Sequence, residues 1–397
     1  MPRGERGVKW RGTGELPVLF SVKTCRCEST SGGGNPVEVQ VLAINPGSTS
    51  TKIAWYRGDE EAWRVTLSHC VEEIAAFPCV VEQFPFRLRV IEQAVVEEGG
   101  DLDALQAVVG RGGIVDPIPG GTYAVDELLL SHLRRGKPWE HASNLGGILA
   151  AAIAFPRKIP AYIVDPVAVD ELDAVARITG LPELPKHSLG HALNIKATVR
   201  RAAKDLGRDW RKMNVVVAHL GGGISICTHK AGRMVDLNNA NEFGPFSPER
   251  SGGVPAGDLV RLCFSGNHTM QDLRKKIAGA GGVVGYLGTS DLREVRRRIA
   301  EGDGKARLVY ETMAYQVAKD IGAYAVPLEG EVEAILLTGG VAHDGEFVRL
   351  VTEQVQWIAP VLVYPGEDEM RALVEGALRV LRGEEPCLRY GEMVAAS

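Results

Sequence analysis

The chain has 397 residues, 45% of them hydrophobic and 24% charged, and carries a formal net charge of -5. That is ordinary globular composition at a length that predicts two domains, and the slight acidity gives no support to a nucleic-acid partner. Seven cysteines lack zinc-ligand or disulfide-framework spacing apart from the close pair Cys25 and Cys27, which implies no cysteine-built metal cage and suits reduced thiols in a cytoplasm.

Residues 1–37 are rich in Gly, Arg and Ser, and "LPVLFSV" is too short and polar-interrupted for a signal-peptide core, so a disordered extension is expected. Val37, Val39, Val41 and Ala43 then alternate up to "NPGSTSTK", and Ile53 and Trp55 follow it, which predicts a hairpin. Its turn offers hydroxyls and backbone donors beside Lys52, a setting for an anion such as phosphate and equally for an ordinary polar loop. A Walker-type loop is ruled out, because the second glycine is missing and the chain continues as strand.

A helix is expected around "PFRLRVIEQAVVEEGG", a strand in "ALQAVVGRGG", and a loop in "IVDPIPGGTYAV" followed by a helix. "EHASNLGGILAAAIAF" reads as a helix starting near Ser143 or Asn144; its apolar part is too short to span a bilayer and is expected to pack on a sheet. "IPAYIVDP" reads as a buried strand ended by Asp165 and Pro166. In the second half, "MNVVVAHLGGGISICTHK" is a strand, a glycine turn and a strand, "REVRRRIA" a solvated helix face, and "EVEAILLTGGVAHD" a strand entering a glycine pair. Helices are expected around 305–324 and 368–382. A strand, turn and strand in each half suggest duplicated α/β domains whose turns meet in a cleft.

In fixed order the chain carries "NPGSTSTK", "PIPGGTY", "HASNLG", "IVDPVAVDEL", "HALNIKA", "VAHLGGGIS", "GPFSPERSGG", "YLGTSDLRE", "LTGGVAHDG" and "PGEDEM". Together these resemble the butyrate kinase family, which sits beside acetate kinase among sugar kinases, actin and heat-shock chaperones; the resemblance covers about residues 38–382. It implies an α/β, duplicated ribonuclease-H-like (actin-like ATPase) two-domain fold with an interdomain cleft. Residues 38–167 with 368–397 would form the substrate-side domain and 168–367 the nucleotide-side domain. The implied reaction is reversible, direct in-line transfer from ATP to butyrate, giving butyryl phosphate and ADP, with Mg2+. Acetate, propionate or a branched acid is the alternative acceptor, and a nucleotide-switched binding protein the alternative class. The resemblance further implies a cytoplasmic, self-associating enzyme of small carboxylates and acyl phosphates, with no nucleic-acid or membrane partner.

Phosphoryl transfer brings anions together and needs cations around a metaphosphate-like centre. Arg111, ending an apolar strand, has a fork that grips carboxylate or phosphate, although alone it would read as a solvated strand end. Arg250 lies in a loop, where a positioned charge is more informative than on a helix face, and by resemblance contacts the transferring group. His191, opening a helix, is expected to stabilise the transition state; the family has an aromatic residue before it where this chain has Gly190, which leaves His187 as a competitor. By resemblance His141 is a second active-site histidine. Asp165, at a strand's carboxyl end, is expected to hold magnesium through water or to orient the carboxylate, against the bland reading of an Asp-Pro turn. Glu367, Asp368 and Glu369 suit a helix start, and the resemblance implies that Asp368 or Glu369 completes the magnesium site with Asn45. For nucleotide the expected contacts are Asn45, Ser48, Thr49 and Lys52 of the hairpin, His219 with Gly221, Gly222 and Gly223, the pair Asp291 and Arg293, and Gly339 with Gly340.

Overall fold

In the computed structural model, residues 38–137 and 140–394 are described; the expected extension 1–37, with Cys25 and Cys27, lies outside them. The expected first hairpin forms from β1 (Gln40–Pro46) and β2 (Ser50–Arg57), in the register Pro46 opposite Thr51, and β3 (Glu60–Ser68) continues the antiparallel meander. β4 (Ala107–Arg111) lies parallel to β1, and β6 (Ala161–Val164) parallel to β4. The short β5 (Thr122–Ala124) and β12 (Leu388–Arg389) complete a sheet of order β12-β5-β6-β4-β1-β2-β3.

The second half repeats this plan. β7 (Asn214–Leu220), β8 (Ile224–Lys230) and β9 (Arg233–Leu237) form an antiparallel meander. β10 (Ala334–Gly339) pairs parallel with β7, and β11 (Val361–Pro365) parallel with β10, giving the order β11-β10-β7-β8-β9. In both sheets the first strand of a meander carries the next strands in parallel on its other edge. Each meander's first turn, 46–50 and 220–224, therefore leaves its sheet at an equivalent place.

Both faces of each sheet are covered, which accounts for continuous apolar runs in the strands. Leu42 and Ile44 of β1 face the helices Phe84–Glu97 and Asn144–Ala154, whereas Val41 and Ala43 face the helix Glu369–Leu381. The glycine-rich start of the helix Asn144–Ala154 permits backbone-close packing: a Cβ on Gly110 would stand 2.0 Å from the Gly146 carbonyl oxygen, and one on Gly146 2.2 Å from that of Arg111. That approach ties the helix start to the end of β4. A buried ion pair, Lys196 with Glu171, holds a further join, because Glu171 also accepts from the amides of Gly120 and Met234.

His229 of β8 is fully buried, and burial, assisted by Lys196, pushes its pKa down to about 3. The unfolded chain takes up this proton near the ordinary value of about 6.5 and the folded chain does not, so the unfolded state binds more protons as pH falls. The contribution of neutral His229 is complete above about pH 6.5 and is lost toward pH 3. We predict that His229→Leu flattens the slope of unfolding free energy against pH between 6.5 and the onset of acid unfolding; an unchanged slope in denaturant titrations would count against this.

Candidate active site

Two cavities open beside the equivalent turns. The smaller, about 250 Å3, is lined by Asn45, Ser50 and Lys52 of the first hairpin, Arg111 at the end of β4, His141 with Ser143, and Glu369. The larger, about 880 Å3, is lined by Gly221 and Gly222 of the second turn, Glu249, Asp291, Arg293, Gly340 and Glu367. Glu367 borders the larger cavity and Glu369, two residues on, the smaller.

Arg111 and Glu369 form an ion pair inside the smaller cavity, and the Asn45 amide donates to the other Glu369 oxygen at 2.6 Å. This leaves the Asn45 carbonyl oxygen open. Burial lowers the Arg111 pKa to about 10, so the group stays cationic at neutral pH. At the rim, the His141 Nδ1 accepts from the Ser143 amide at 3.2 Å, which places the ring proton on Nε2. Partial burial and then Arg111 hold its pKa below the ordinary value.

His191 caps the helix Ala192–Asp205 and stacks on His219, with ring centroids 3.8 Å apart and planes 11° from parallel. The His191 Nδ1 lies 2.9 Å from the Ser225 hydroxyl. Burial pushes its pKa well down, and His219, Arg111 and Arg250 press in the same direction, so His191 is neutral. Gly190 backs onto β9, where a Cβ would stand 2.8 Å from Leu237, and His187 is exposed.

The proton on His219 is fixed by counting donors. Thr338 donates its one hydroxyl proton to the Gly366 carbonyl at 3.2 Å, so it accepts from the Asn194 amide, also at 3.2 Å. The other amide hydrogen of Asn194 points at His219 Nδ1, 2.7 Å away, which must accept. The ring proton therefore sits on Nε2, 3.2 Å from Glu367. His219, followed by Arg111 and Lys52, holds the Glu367 carboxyl below its ordinary range. Asn194 was open to sequence reasoning, since three residues after His191 it falls on the same helical face. Thr338, on a distant strand, was not.

Arg250 enters from a loop, donating to the Ala240 carbonyl at 2.8 Å, and burial lowers its pKa. A Cβ on Gly223 would meet its guanidinium at 2.0 Å, so the last glycine of the turn makes room for it. Two cations, neutral imidazole donors and open oxygen ligands thus converge where a polyanion could be held on several sides.

Other expected residues lie outside this group. Asp165 is buried, its carboxylate accepting from the Gly121 amide at 2.7 Å and pairing with Arg200 at 3.3 Å, and it lines neither cavity. Asp368 caps the helix Glu369–Leu381 and pairs with Arg64 at 2.8 Å. Ser48 and Thr49 are exposed at the hairpin tip. Asp291 and Arg293 pair with each other at the mouth of the larger cavity. Gly339, at φ 90°, exchanges backbone bonds with Gly366 and leaves the lining to Gly340.

Residues 190–359 match the model of the acetokinase family. The chain is 51% identical over 352 residues to a probable butyrate kinase 2 of Caldanaerobacter subterraneus subsp. tengcongensis, covering 89% of this chain and 99% of the relative. It is 51% identical to butyrate kinase 1 of Clostridium acetobutylicum, over 88% of this chain and 99% of that protein. Among solved structures it resembles an acetate kinase of Porphyromonas gingivalis, with TM-score 0.73 and 21% identity over 86% of this chain and 100% of the other. A propionate kinase of Francisella tularensis has TM-score 0.68 at 17% identity, over 85% of this chain and 98% of its own. These two likenesses are to the fold, a duplicated ribonuclease-H-like α/β architecture.

Replacing Asn194 with Asp puts an acceptor opposite His219 Nδ1. We predict that 15N NMR finds the ring proton on Nε2 in the native protein, and on Nδ1 or on both nitrogens in Asn194→Asp. A variant ring still protonated on Nε2 alone would refute the donor count.

Proposed function

The chain belongs to the acetokinase family, and on that premise we propose that it is a butyrate kinase, transferring the terminal phosphoryl group of ATP reversibly to butyrate. The observation that carries the site assignment is the convergence of Arg111, Arg250 and neutral His191 stacked on His219, near Glu367 and Glu369 of the two cavities. The larger cavity has room for a nucleotide, with Gly340, Asp291 and Arg293 toward the adenosine and the glycine turn toward the phosphates. The smaller, polar cavity suits the carboxylate and the group it receives.

The acid is already ionised at neutral pH, its pKa being about 4, so no general base is required. A carboxylate oxygen attacks the terminal phosphorus in line; the bond from that phosphorus to the bridging oxygen breaks, and ADP leaves with the electron pair. Arg111 orients the incoming acid, Arg250 balances charge on the equatorial oxygens, and the N–H groups of His219 and His141 donate to oxygens that gain charge. Keeping the imidazoles neutral lets them donate without resisting two neighbouring cations. Lys52 and the hairpin amides hold the phosphates, with Ser48 and Thr49 at the tip.

The donor chemistry also fits magnesium, which favours hard oxygen ligands and is held by one or two carboxylates together with substrate phosphates. Glu369 and the open carbonyl of Asn45 would hold it, with Asp368 adjacent, and the ion would offset phosphate charge when bound. Asp165 serves this arrangement by fixing the substrate-side loop through Gly121 and Arg200. We assign residues 38–167 with 368–397 to the substrate-side lobe and 168–367 to the nucleotide-side lobe. We also infer a self-associating cytoplasmic enzyme; among the described residues no helix is long and apolar enough to cross a membrane.

One methylene in an apolar pocket discriminates by only about 1–3 kcal/mol, so propionate and branched acids are expected as slower acceptors. An ADP-release assay across acids of increasing length should peak at butyrate, and no turnover with any short-chain acid would overturn the proposal. Arg250→Ala should lower kcat on the order of a thousandfold while ATP binding stays within a few-fold, and preserved turnover would remove Arg250 from the chemistry.

A further inference from the structure

We propose that Arg87 is the positioning residue of the first hairpin, a buried guanidinium with no carboxylate partner among the described residues, which shapes the turn from within and keeps a positive charge beneath the arriving phosphates. This rests on the reading of that hairpin as the phosphate-facing loop. Arg87 comes from the helix Phe84–Glu97, where it shares the buried face with Ile91, Ala94 and Val95. An arginine at that place in an apolar stripe is unusual, and it is fully inaccessible to solvent.

Its fork is spent almost wholly on the hairpin. Nη1 donates to the carbonyls of Gly47 at 2.8 Å and Ser50 at 3.0 Å and to the Thr51 hydroxyl at 3.0 Å, and Nη2 donates to the Ser48 carbonyl at 3.0 Å. The remaining bonds, from Nε at 3.1 Å and Nη2 at 2.8 Å, go to the Gln83 side chain. A trans peptide carries its C=O and N–H on opposite sides, so drawing the carbonyls of Gly47 and Ser48 inward turns the amides of Ser48 and Thr49 outward. Thr51, accepting from Arg87, passes its own proton to His69 Nε2 at 2.8 Å; burial and then Arg87 keep His69 below its ordinary pKa, so it can accept.

The acceptors are neutral dipoles throughout. They replace the water lost on burial, yet none cancels the charge, and buried cations are ordinarily paired. Burial alone lowers the Arg87 pKa to about 10, so the cation persists at neutral pH. The missing counter-charge is one that a bound triphosphate supplies. Helix and hairpin are thus arranged so that the loop takes its full electrostatic compensation only when an anion lies on its outer side.

Two variants test this, with thermal unfolding confirming the fold of each. Gln83→Glu is isosteric and gives Arg87 a carboxylate without breaking its fork. We expect its stability to hold or rise while ATP binding by calorimetry weakens about fivefold and KM for butyrate stays unchanged. Arg87→Lys keeps the charge but cannot reach the separate carbonyls; kcat should fall at least about tenfold, with ATP affinity reduced less than kcat. A merely structural arginine would lower stability in Arg87→Lys and leave the kinetics of both variants native, which would overturn the proposal. Should the native protein phosphorylate no acid, the functional reading fails, while calorimetry on Gln83→Glu still decides whether the buried charge attracts nucleotide.

Discussion

Holding positive charge in a dry place without cancelling it is the constraint on which the rest of this structure turns. Arg111, Arg250 and Arg87 all have guanidinium pKa values pushed down by burial. Of the three, Arg111 has a carboxylate ion pair, with Glu369, while Arg250 and Arg87 are held by backbone carbonyls and neutral side chains. The imidazoles between the cavities respond to the same field: His191 is driven neutral by burial and by its cationic neighbours, and the Asn194 and Thr338 bonds fix the proton of His219. An anion with oxygens on several sides relieves more of this unbalanced charge than any single side chain could.

The duplicated topology explains why such groups meet. Each sheet sends out a turn from its first antiparallel pair, and each turn borders one cavity. The two turns differ in chemistry. The first is rich in hydroxyls and is braced from beneath by a cation; the second is all glycine, which admits the Arg250 guanidinium and leaves the approach to Glu367 open. The helix Glu369–Leu381 packs on the first sheet, and the residues before it continue from β11 of the second. Glu367 and Glu369 therefore sit where the two halves join.

Much of this was legible in the sequence wherever the signal is local. Alternation gave the first hairpin and the glycine turn the second, and the strands β4, β6 and β10 and the expected helices fall where the apolar runs place them. β3, β5, β9, β11 and β12 escaped: β3, β9, β11 and β12 are outer edges with exposed or half-buried positions that break the apolar pattern, and the three-residue β5 lies in the stretch read as a loop. At the site, turn chemistry marked the hairpin and the glycine turn, whereas Arg111 and Glu369 were singled out by the family resemblance. What could not be read was partnership at a distance. Asp165 looked like a free strand-end carboxylate until Arg200, 35 residues on, was seen to hold it. Arg87 lies in an expected helix, where its phase with Ile91 and Val95 places it on the buried face, but its partners on the hairpin are distant in sequence.

On the proposed reading, these features serve transfer from nucleotide to acid in one step. Glu369 is tied to Arg111 and Asn45, and His219 Nδ1 to Asn194, and on this reading no side chain is assigned to carry the phosphoryl group. The stereochemical course at phosphorus tests this most directly, using ATP made chiral at its terminal thiophosphate with isotopic oxygen and butyrate as acceptor. A single in-line displacement inverts that centre in the butyryl thiophosphate. Retention would require two displacements and a phosphorylated side chain, and would contradict the account.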